Sequence, residues 1–159
     1  AAMYGLMEGL VGRPVTRRDV ESATWAIIER GRSLTGTDHA VNVETLRQLS
    51  RTIATELSPF DIFITPTLSQ LPKPLGYYSA EGEDVSDYKR KLIEGVLFTI
   101  PYNISGQPAI SLPLAWSNDG MPIGVQLVAR HGDEANLLAI STQLEREMSW
   151  SHRRPPEPV

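Results

Sequence analysis

The sequence predicts a protein of the α/β class with α+β-like layering, in which a mixed β-sheet is flanked by helices. Two observations lead to this prediction. Apolar residues recur at helical spacing through the first 57 positions. After Pro59, runs of β-branched and aromatic residues alternate with further helical patterns. Helices followed by alternating strands and helices are typical of folds that pack helices against a sheet, and 159 residues suffice for one domain.

Three helices are expected before the first strand. The first covers residues 2–12. The second begins at Thr16, a good N-cap residue, and ends near residues 31–36. Asp38 caps the third helix, which runs from about 40 to 57.

Three strands are expected in the rest of the chain. The first covers residues 60–65 and stops at Pro66. The others cover 109–112 and 123–129, and the turn signal at 118–120 joins them as an antiparallel hairpin. The run at 109–112 is apolar, which favours a central strand buried on both faces and in need of neighbours that this chain does not supply.

The remaining segments connect these strands. Residues 67–84 form a long loop without periodicity, which suits either a functional rim or a surface insertion. A helix follows from 86 or 87 to about 98–100 and ends because Pro101 disfavours helical backbone before it. Residues 103–107 then read as a loop, and a last helix runs from Asp133 to about residue 148.

Composition excludes several classes of function. The net charge is −4 (15 − 19), so the electrostatics give no reason to expect nucleic-acid binding. Without cysteine, the chain has no disulfide, no thiol nucleophile and no Cys-based zinc site. No apolar run approaches the ~20 residues of a membrane helix, and the N-terminus lacks the order of a secretory signal. We therefore expect a cytoplasmic protein without membrane contact.

A search for catalytic groups finds none in this chain. There is no G-x-S-x-G elbow, and Pro72 rules out a helix that would pair Ser69 with Lys73. The three histidines stand alone, so no metal site is expected. Neither a phosphate loop nor a dinucleotide fingerprint occurs, so no cofactor is expected.

Four short motifs nevertheless resemble those of one family, the amidase signature enzymes. They read FDIFITPT at residues 60–67, PYNISGQPAISLP at 101–113, GMPIGVQLV at 120–128, and GDE followed by a Leu-Leu pair at 132–138. Each motif is weak alone, but the four stand in the family's order across residues 60–147. The helices before residue 58 carry no specific motif.

The resemblance implies an amide-bond hydrolase built on a large mixed sheet between helices. Enzymes of this family hydrolyse amides with a Ser–cis-Ser–Lys triad, in which the lysine is the ultimate base. Those groups belong to the N-terminal half of the family's sequence, and this chain has no Gly-Ser-Ser-Gly run to match them. The chain therefore resembles the C-terminal portion of a larger amidase domain, a fragment that we expect to be inactive alone.

Two alternatives to this interpretation remain open. The chain could belong to the A subunit of a glutamine-dependent tRNA amidotransferase, or be a non-catalytic interaction module with an amidase-like shape. The expected partners are a small-molecule amide substrate and the N-terminal half of the same enzyme. A homodimer is also left open.

The resemblance also implies which residues line the acyl-substrate pocket. The helix before Pro101, the loop after it and the end of the first strand should form its walls, and apolar helix residues there favour an apolar acyl group. The alternative is that the helix residues Ile93, Val96 and Ile100 belong to the core and that Asn103 bonds to backbone in a turn. The predicted substrate-binding residues are Thr65, Thr67, Ile93, Val96, Ile100, Asn103, Ile104, Ser105, Gly106 and Gln107.

Overall fold

The computed structural model describes residues 2–79 and 84–154, so part of the predicted loop at 67–84 lies outside the described residues. Its elements, in chain order, are α1 (Ala2–Val11), α2 (Ser22–Arg32), α3 (Gly36–Leu57), β1 (Ile62–Pro66), α4 (Val85–Val96), α5 (Ile100–Ser105), β2 (Ala109–Trp116), β3 (Pro122–Ala129) and α6 (Glu134–Met148), followed by a 3-10 turn (Trp150–His152). The predicted class, a β-sheet flanked by helices, is confirmed, although the sheet of the described residues is antiparallel rather than mixed.

The chain divides into two compact units. The first falls within Ala1–Glu44 and Pro72–Gly95, and the second within Thr45–Leu71 and Val96–Val159. The prediction of a single domain, as part of a larger one, stays a prediction.

The first unit contains α1, α2 and the start of α3, and Ile28 is its most deeply buried large side chain. The prediction that Thr16 is the N-cap of α2 is wrong. The Thr16 backbone N–H and hydroxyl both donate to the Asp19 carboxylate, at 2.8 and 2.7 Å, and this closes a separate turn. Helix α2 therefore begins only at Ser22.

The start of α3 also differs from the prediction. Asp38 lies inside the first turn, and the helix begins at Gly36 rather than near Ala40. The Asp38 N–H donates to the Thr35 hydroxyl at 3.1 Å, and the Thr35 N–H donates to the Asp38 carboxylate at 2.8 Å. These reciprocal bonds form a capping box, so Thr35 takes the capping role that was assigned to Asp38.

The second unit is built on a three-stranded sheet in the order β1-β3-β2, antiparallel throughout. The predicted hairpin of β2 and β3 is confirmed. The predicted central position of 109–112 is wrong for this sheet, because β3 lies at the centre and β2 at an edge. Burial on both faces is wrong as well: Leu112 is buried, whereas Ala109 and Ser111 are exposed on the other face.

The core of the second unit lies between one face of this sheet and α6. Leu112, Leu127 and Ala129 pack against Leu137 of that helix, and Leu127 is 1% exposed. Asp133 precedes α6 directly, as predicted, although its side chain makes no capping hydrogen bond. The opposite face carries buried Val128 at one end and the polar residues Thr65, Ser111 and Gln126 next to it.

The segment before β2 contains a helix that the sequence did not predict. Helix α4 ends at Val96, and a second short helix, α5, covers Ile100–Ser105. Pro101 does not end a helix there; it occupies the first turn of α5, where a missing N–H costs nothing. Gly106 ends α5 with φ of +76° and donates its N–H to the Tyr102 carbonyl at 2.8 Å. The predicted loop at 103–107 is therefore helical as far as Ser105.

Candidate functional site

The polar face of the sheet carries a row of hydrogen-bonding side chains. In the strand register, Thr65 of β1 and Ser111 of β2 both lie opposite Gln126 of β3. Because alternate residues of a strand point to one face, these three side chains lie on the side away from α6.

Gln126 ties this face to the segment between α4 and α5. The residue is 5% exposed. The Nε2 group donates to the Thr65 hydroxyl at 3.0 Å and to the Phe98 carbonyl at 2.8 Å. One buried carboxamide thereby fixes the end of β1 and the start of the α5 segment to the central strand.

A second polar contact crosses the sheet above Gly124. The hydroxyl oxygens of Thr67 and Ser111 are 2.6 Å apart, and the Thr67 N–H donates to the Gly124 carbonyl at 2.9 Å. A Cβ at position 124 would lie 2.8 Å from both hydroxyl oxygens. Glycine is therefore the residue that lets the two hydroxyls meet.

Ser105 and Gln107 hold the turn after α5 in place. The Ser105 hydroxyl donates to Gln107 Oε1 at 3.1 Å, and Gln107 Nε2 donates to the Ala129 carbonyl at 3.2 Å. Both side chains are buried. These bonds anchor the N-terminal end of β2 to the end of β3.

A cavity of about 330 Å³ opens between α5 and the polar face. Its lining is rich in hydroxyl and carboxamide groups and has no charged side chain. The burial of Tyr102 raises the pKa of its phenol, so that hydroxyl stays protonated. The lining residues are Thr67, Thr99, Tyr102, Asn103, Gln107, Ala109, Ile110, Ser111 and Gln126.

Three of the predicted substrate-binding residues line this cavity: Thr67, Asn103 and Gln107. Thr65 lies behind it as the partner of Gln126. The remaining predicted residues of the α5 segment are not in the lining; Ile100 and Ile104 are half-buried, Ser105 is buried and Gly106 is exposed.

The two helix α4 residues of the prediction have a different environment. Ile93 is 51% exposed and Val96 is 37% exposed, so neither is core in the described part of the chain. Their contact with substrate stays a prediction. The apolar wall that they implied is absent from the lining of the cavity, whose polar groups favour hydrogen bonding instead.

Sequence reasoning missed four residues of the lining that could bind a ligand: Thr99, Tyr102, Ser111 and Gln126. One signal was available. Gln126 is the single polar residue within the apolar run 125–129, and polar residues in such strands require hydrogen-bond partners. Across residues 2–79 and 84–154, the structure has no cluster of His, Asp and Glu suited to a metal ion. No helix in those ranges is long and apolar enough to span a bilayer.

The second unit thus combines a small antiparallel sheet, packed by helices, with a neutral polar cavity. The sequence model of the Amidase family matches residues 10–138, and the chain belongs to that family. The resemblance seen in the four motifs is thus confirmed.

Individual relatives give the same result. The chain is 41% identical over 152 residues to a 6-aminohexanoate-cyclic-dimer hydrolase of Pseudomonas sp. (strain NK87), covering 92% of this chain and 31% of the relative. The same values hold for the hydrolase of that name from Paenarthrobacter ureafaciens. The chain spans about a third of the length of these relatives and matches their C-terminal part.

Solved structures extend the match to the fold. A structure of 6-aminohexanoate cyclic dimer hydrolase superposes with a TM-score of 0.89 at 38% identity, covering 97% of this chain and 33% of that one. The A subunit of a glutamyl-tRNA(Gln) amidotransferase from Thermotoga maritima gives a TM-score of 0.58 at 24% identity, covering 89% of this chain and 30% of that one. The second match shows a shared fold alone.

Proposed function

We propose that this chain supplies substrate-pocket walls and core strands to an amide-bond hydrolase whose Ser–cis-Ser–Lys triad lies outside residues 1–159. The observation that carries the proposal is the 41% identity to hydrolases of a cyclic amide, over nearly the whole chain. In this arrangement the triad supplies nucleophile and base, and this chain binds and orients the substrate.

The chemistry of the cavity supports this role. An amide is uncharged and carries one donor and one acceptor, and the lining offers neutral hydroxyl and carboxamide groups of both kinds. A free carboxylate or ammonium group would find no opposite charge there. The volume of about 330 Å³ is at the lower end of the range for ligand sites, which suits a small substrate.

The same cavity contains no group able to act as a base. Its ionisable member is Tyr102, whose burial raises the phenol pKa further from neutrality. We therefore expect residues 1–159 alone to leave simple aryl and aliphatic amides unhydrolysed.

The cyclic dimer of 6-aminohexanoate is the first substrate to test, because the relatives with 41% identity are named for it. The A subunit of a tRNA amidotransferase is the second candidate, but its similarity is to fold alone and a net charge of −4 gives no support for tRNA contact. A homodimer, a cytoplasmic location and the absence of nucleic-acid or membrane contact stay predictions from the sequence.

A hybrid enzyme tests the proposal. The C-terminal part of the Paenarthrobacter ureafaciens hydrolase is replaced by residues 1–159, and hydrolysis of the cyclic dimer is followed by the release of amine. We expect turnover by the hybrid and by the parent enzyme, and none by residues 1–159. A serine-directed fluorophosphonate should label the hybrid and leave this chain unlabelled.

Two results would contradict the proposal. A folded hybrid that hydrolyses neither the cyclic dimer nor simple amides would show that this chain does not serve an amide hydrolase. Turnover by residues 1–159 that a fluorophosphonate abolishes would show that the chain contains its own nucleophile.

A further inference from the structure

The orientation of the Gln126 carboxamide is fixed by its surroundings. The Phe98 carbonyl is purely an acceptor, so the Gln126 atom 2.8 Å from it must be the NH₂ group. That group uses its second hydrogen on the Thr65 hydroxyl at 3.0 Å. Both donors of Gln126 are therefore occupied, and Oε1 is the polar atom it retains for a ligand.

Within residues 2–79 and 84–154, no group donates a hydrogen bond to Gln126 Oε1. Gln126 as a residue is 95% buried, and it borders the cavity. A buried acceptor without a donor is costly, and buried polar groups in folded proteins are paired with few exceptions. Oε1 is therefore available to a donor from outside the described residues, and Gln126 borders the cavity.

Tyr102 presents the complementary group. Tyr102 as a residue is 92% buried and borders the same cavity, and no described residue bonds to its hydroxyl. The phenol keeps its proton because burial raises its pKa. It can therefore donate a hydrogen bond to a carbonyl oxygen throughout the neutral pH range.

We propose that the cavity is a subsite for a secondary amide, in which Gln126 Oε1 accepts the ligand N–H and the Tyr102 hydroxyl donates to a ligand carbonyl. The proposal rests on the function proposed above and names the part of the substrate that this chain recognises. It makes the N–H group a determinant of specificity, because a ligand without it leaves Oε1 buried and unpaired.

Binding measurements test this without turnover. The hybrid enzyme, with the nucleophilic serine of its parent part replaced by alanine, is titrated calorimetrically with two ligands. One is the cyclic dimer of 6-aminohexanoate; the other is its di-N-methyl derivative, which keeps the ring and both carbonyls but has no N–H. The ratio of the two dissociation constants measures the preference for the N–H group.

We expect the N–H ligand to bind about tenfold more tightly, equivalent to ~1.4 kcal/mol. Gln126→Met should reduce that preference to near one. Tyr102→Phe should weaken both ligands by a similar factor, roughly five- to tenfold, because both retain carbonyls. Thr65→Val, which removes a partner of Nε2 and leaves Oε1 intact, should preserve the preference whatever its effect on overall affinity.

The outcomes separate the two proposals. A preference that survives in a folded Gln126→Met variant would show that the methyl groups act by size, and would overturn the subsite. If Gln126→Met does not fold, the Tyr102→Phe variant tests the subsite instead: unchanged affinity for both ligands would overturn it. Amide binding with the expected pattern in the serine-to-alanine hybrid, together with no turnover by the hybrid that keeps its serine, would instead contradict the hydrolase proposal and leave the subsite standing.

Discussion

Replacement of Gly124 by alanine tests the polar face of the sheet most directly. The added Cβ would lie 2.8 Å from Ser111 Oγ, 2.8 Å from Thr67 Oγ1 and 3.1 Å from Thr67 Cβ. Ordinary contacts of a Cβ begin near 3.4 Å, so each hydroxyl would have to move by about 0.6 Å. A shift of either hydroxyl relative to the other would disturb the 2.6 Å hydrogen bond between them.

The magnitude follows from two losses and one gain. Overpacking typically costs ~1–3 kcal/mol, and the loss of the hydroxyl pair adds ~0.5–1.5 kcal/mol. Replacing glycine in a strand returns ~0.5–1 kcal/mol of backbone entropy. We expect a net loss of ~1–3 kcal/mol, measured as the shift of the urea midpoint of the hybrid enzyme by circular dichroism. Because Thr67 and Ser111 line the cavity, affinity for the cyclic dimer should fall as well.

Two further variants test whether the contact between the new Cβ and the two hydroxyls causes the loss of stability. Gly9→Ala, in α1 with no atom within 4 Å of the new Cβ, is the matched control and should stabilise by ~0.5–1 kcal/mol. In a Ser111→Ala background one of the two 2.8 Å contacts is gone, so Gly124→Ala should cost less there. An equal cost in both backgrounds, or a stabilising Gly124→Ala, would refute the reasoning.

Three other predictions concern stability. Gly106→Ala should lower the free energy of unfolding by ~1 kcal/mol in thermal denaturation, because a φ of +76° strains a residue that has a side chain. The new Cβ would be 3.9 Å from its nearest neighbour and would not clash, so Gly106→Asn should cost less, since asparagine tolerates this backbone conformation better. Equal costs for the two variants would argue against strain. Leu127→Ala, at a core position 1% exposed, should cost ~2–5 kcal/mol in urea unfolding, whereas Leu138→Ala on the exposed side of α6 should cost well under half of that. The Arg13 guanidinium holds the pKa of the Asp19 carboxyl well below its usual range. The ionised carboxylate therefore stabilises the fold at pH values above the unfolded-state pKa near 3.9. This stabilisation is lost as the pH falls from there towards the folded-state pKa. Asp19→Asn should therefore flatten the dependence of the melting temperature on pH below about 4, and an unchanged slope would contradict this.

The elements predicted correctly from the sequence are those with local signals. The hairpin of β2 and β3 follows from a turn signal between two apolar runs, and α6 follows from apolar spacing after Asp133. The same reasoning failed at α5. Six residues are too few to show a helical period of apolar positions, and a proline such as Pro101 is found both after the end of a helix and in the first turn of one.

The site depended on contacts that no local pattern contains. The motifs predict Thr67, Asn103 and Gln107 as substrate-binding residues, and the structure puts the three in one cavity lining. The Gln126 bonds reach Phe98 and Thr65, which are 28 and 61 residues away in sequence. The register of the strands brings Thr65 and Gln126 to one face, and the segment between α4 and α5 places the Phe98 carbonyl beside them, so the polar character of the cavity could not be predicted from spacing alone.

The division of the chain into two units has a consequence for how such a protein can be cut or shuffled. Each unit is assembled from two separate stretches, and the chain passes from one unit to the other at residues 44–45, 71–72 and 95–96. The first and last of these boundaries fall inside or at the end of α3 and α4, not in loops. A deletion of residues 1–44 would thus remove one stretch of the first unit and leave the other, Pro72–Gly95, in the chain. Neither unit can be exchanged with a relative as one uninterrupted segment. Recombination between members of the family should therefore be tolerated best when both stretches of a unit are exchanged together.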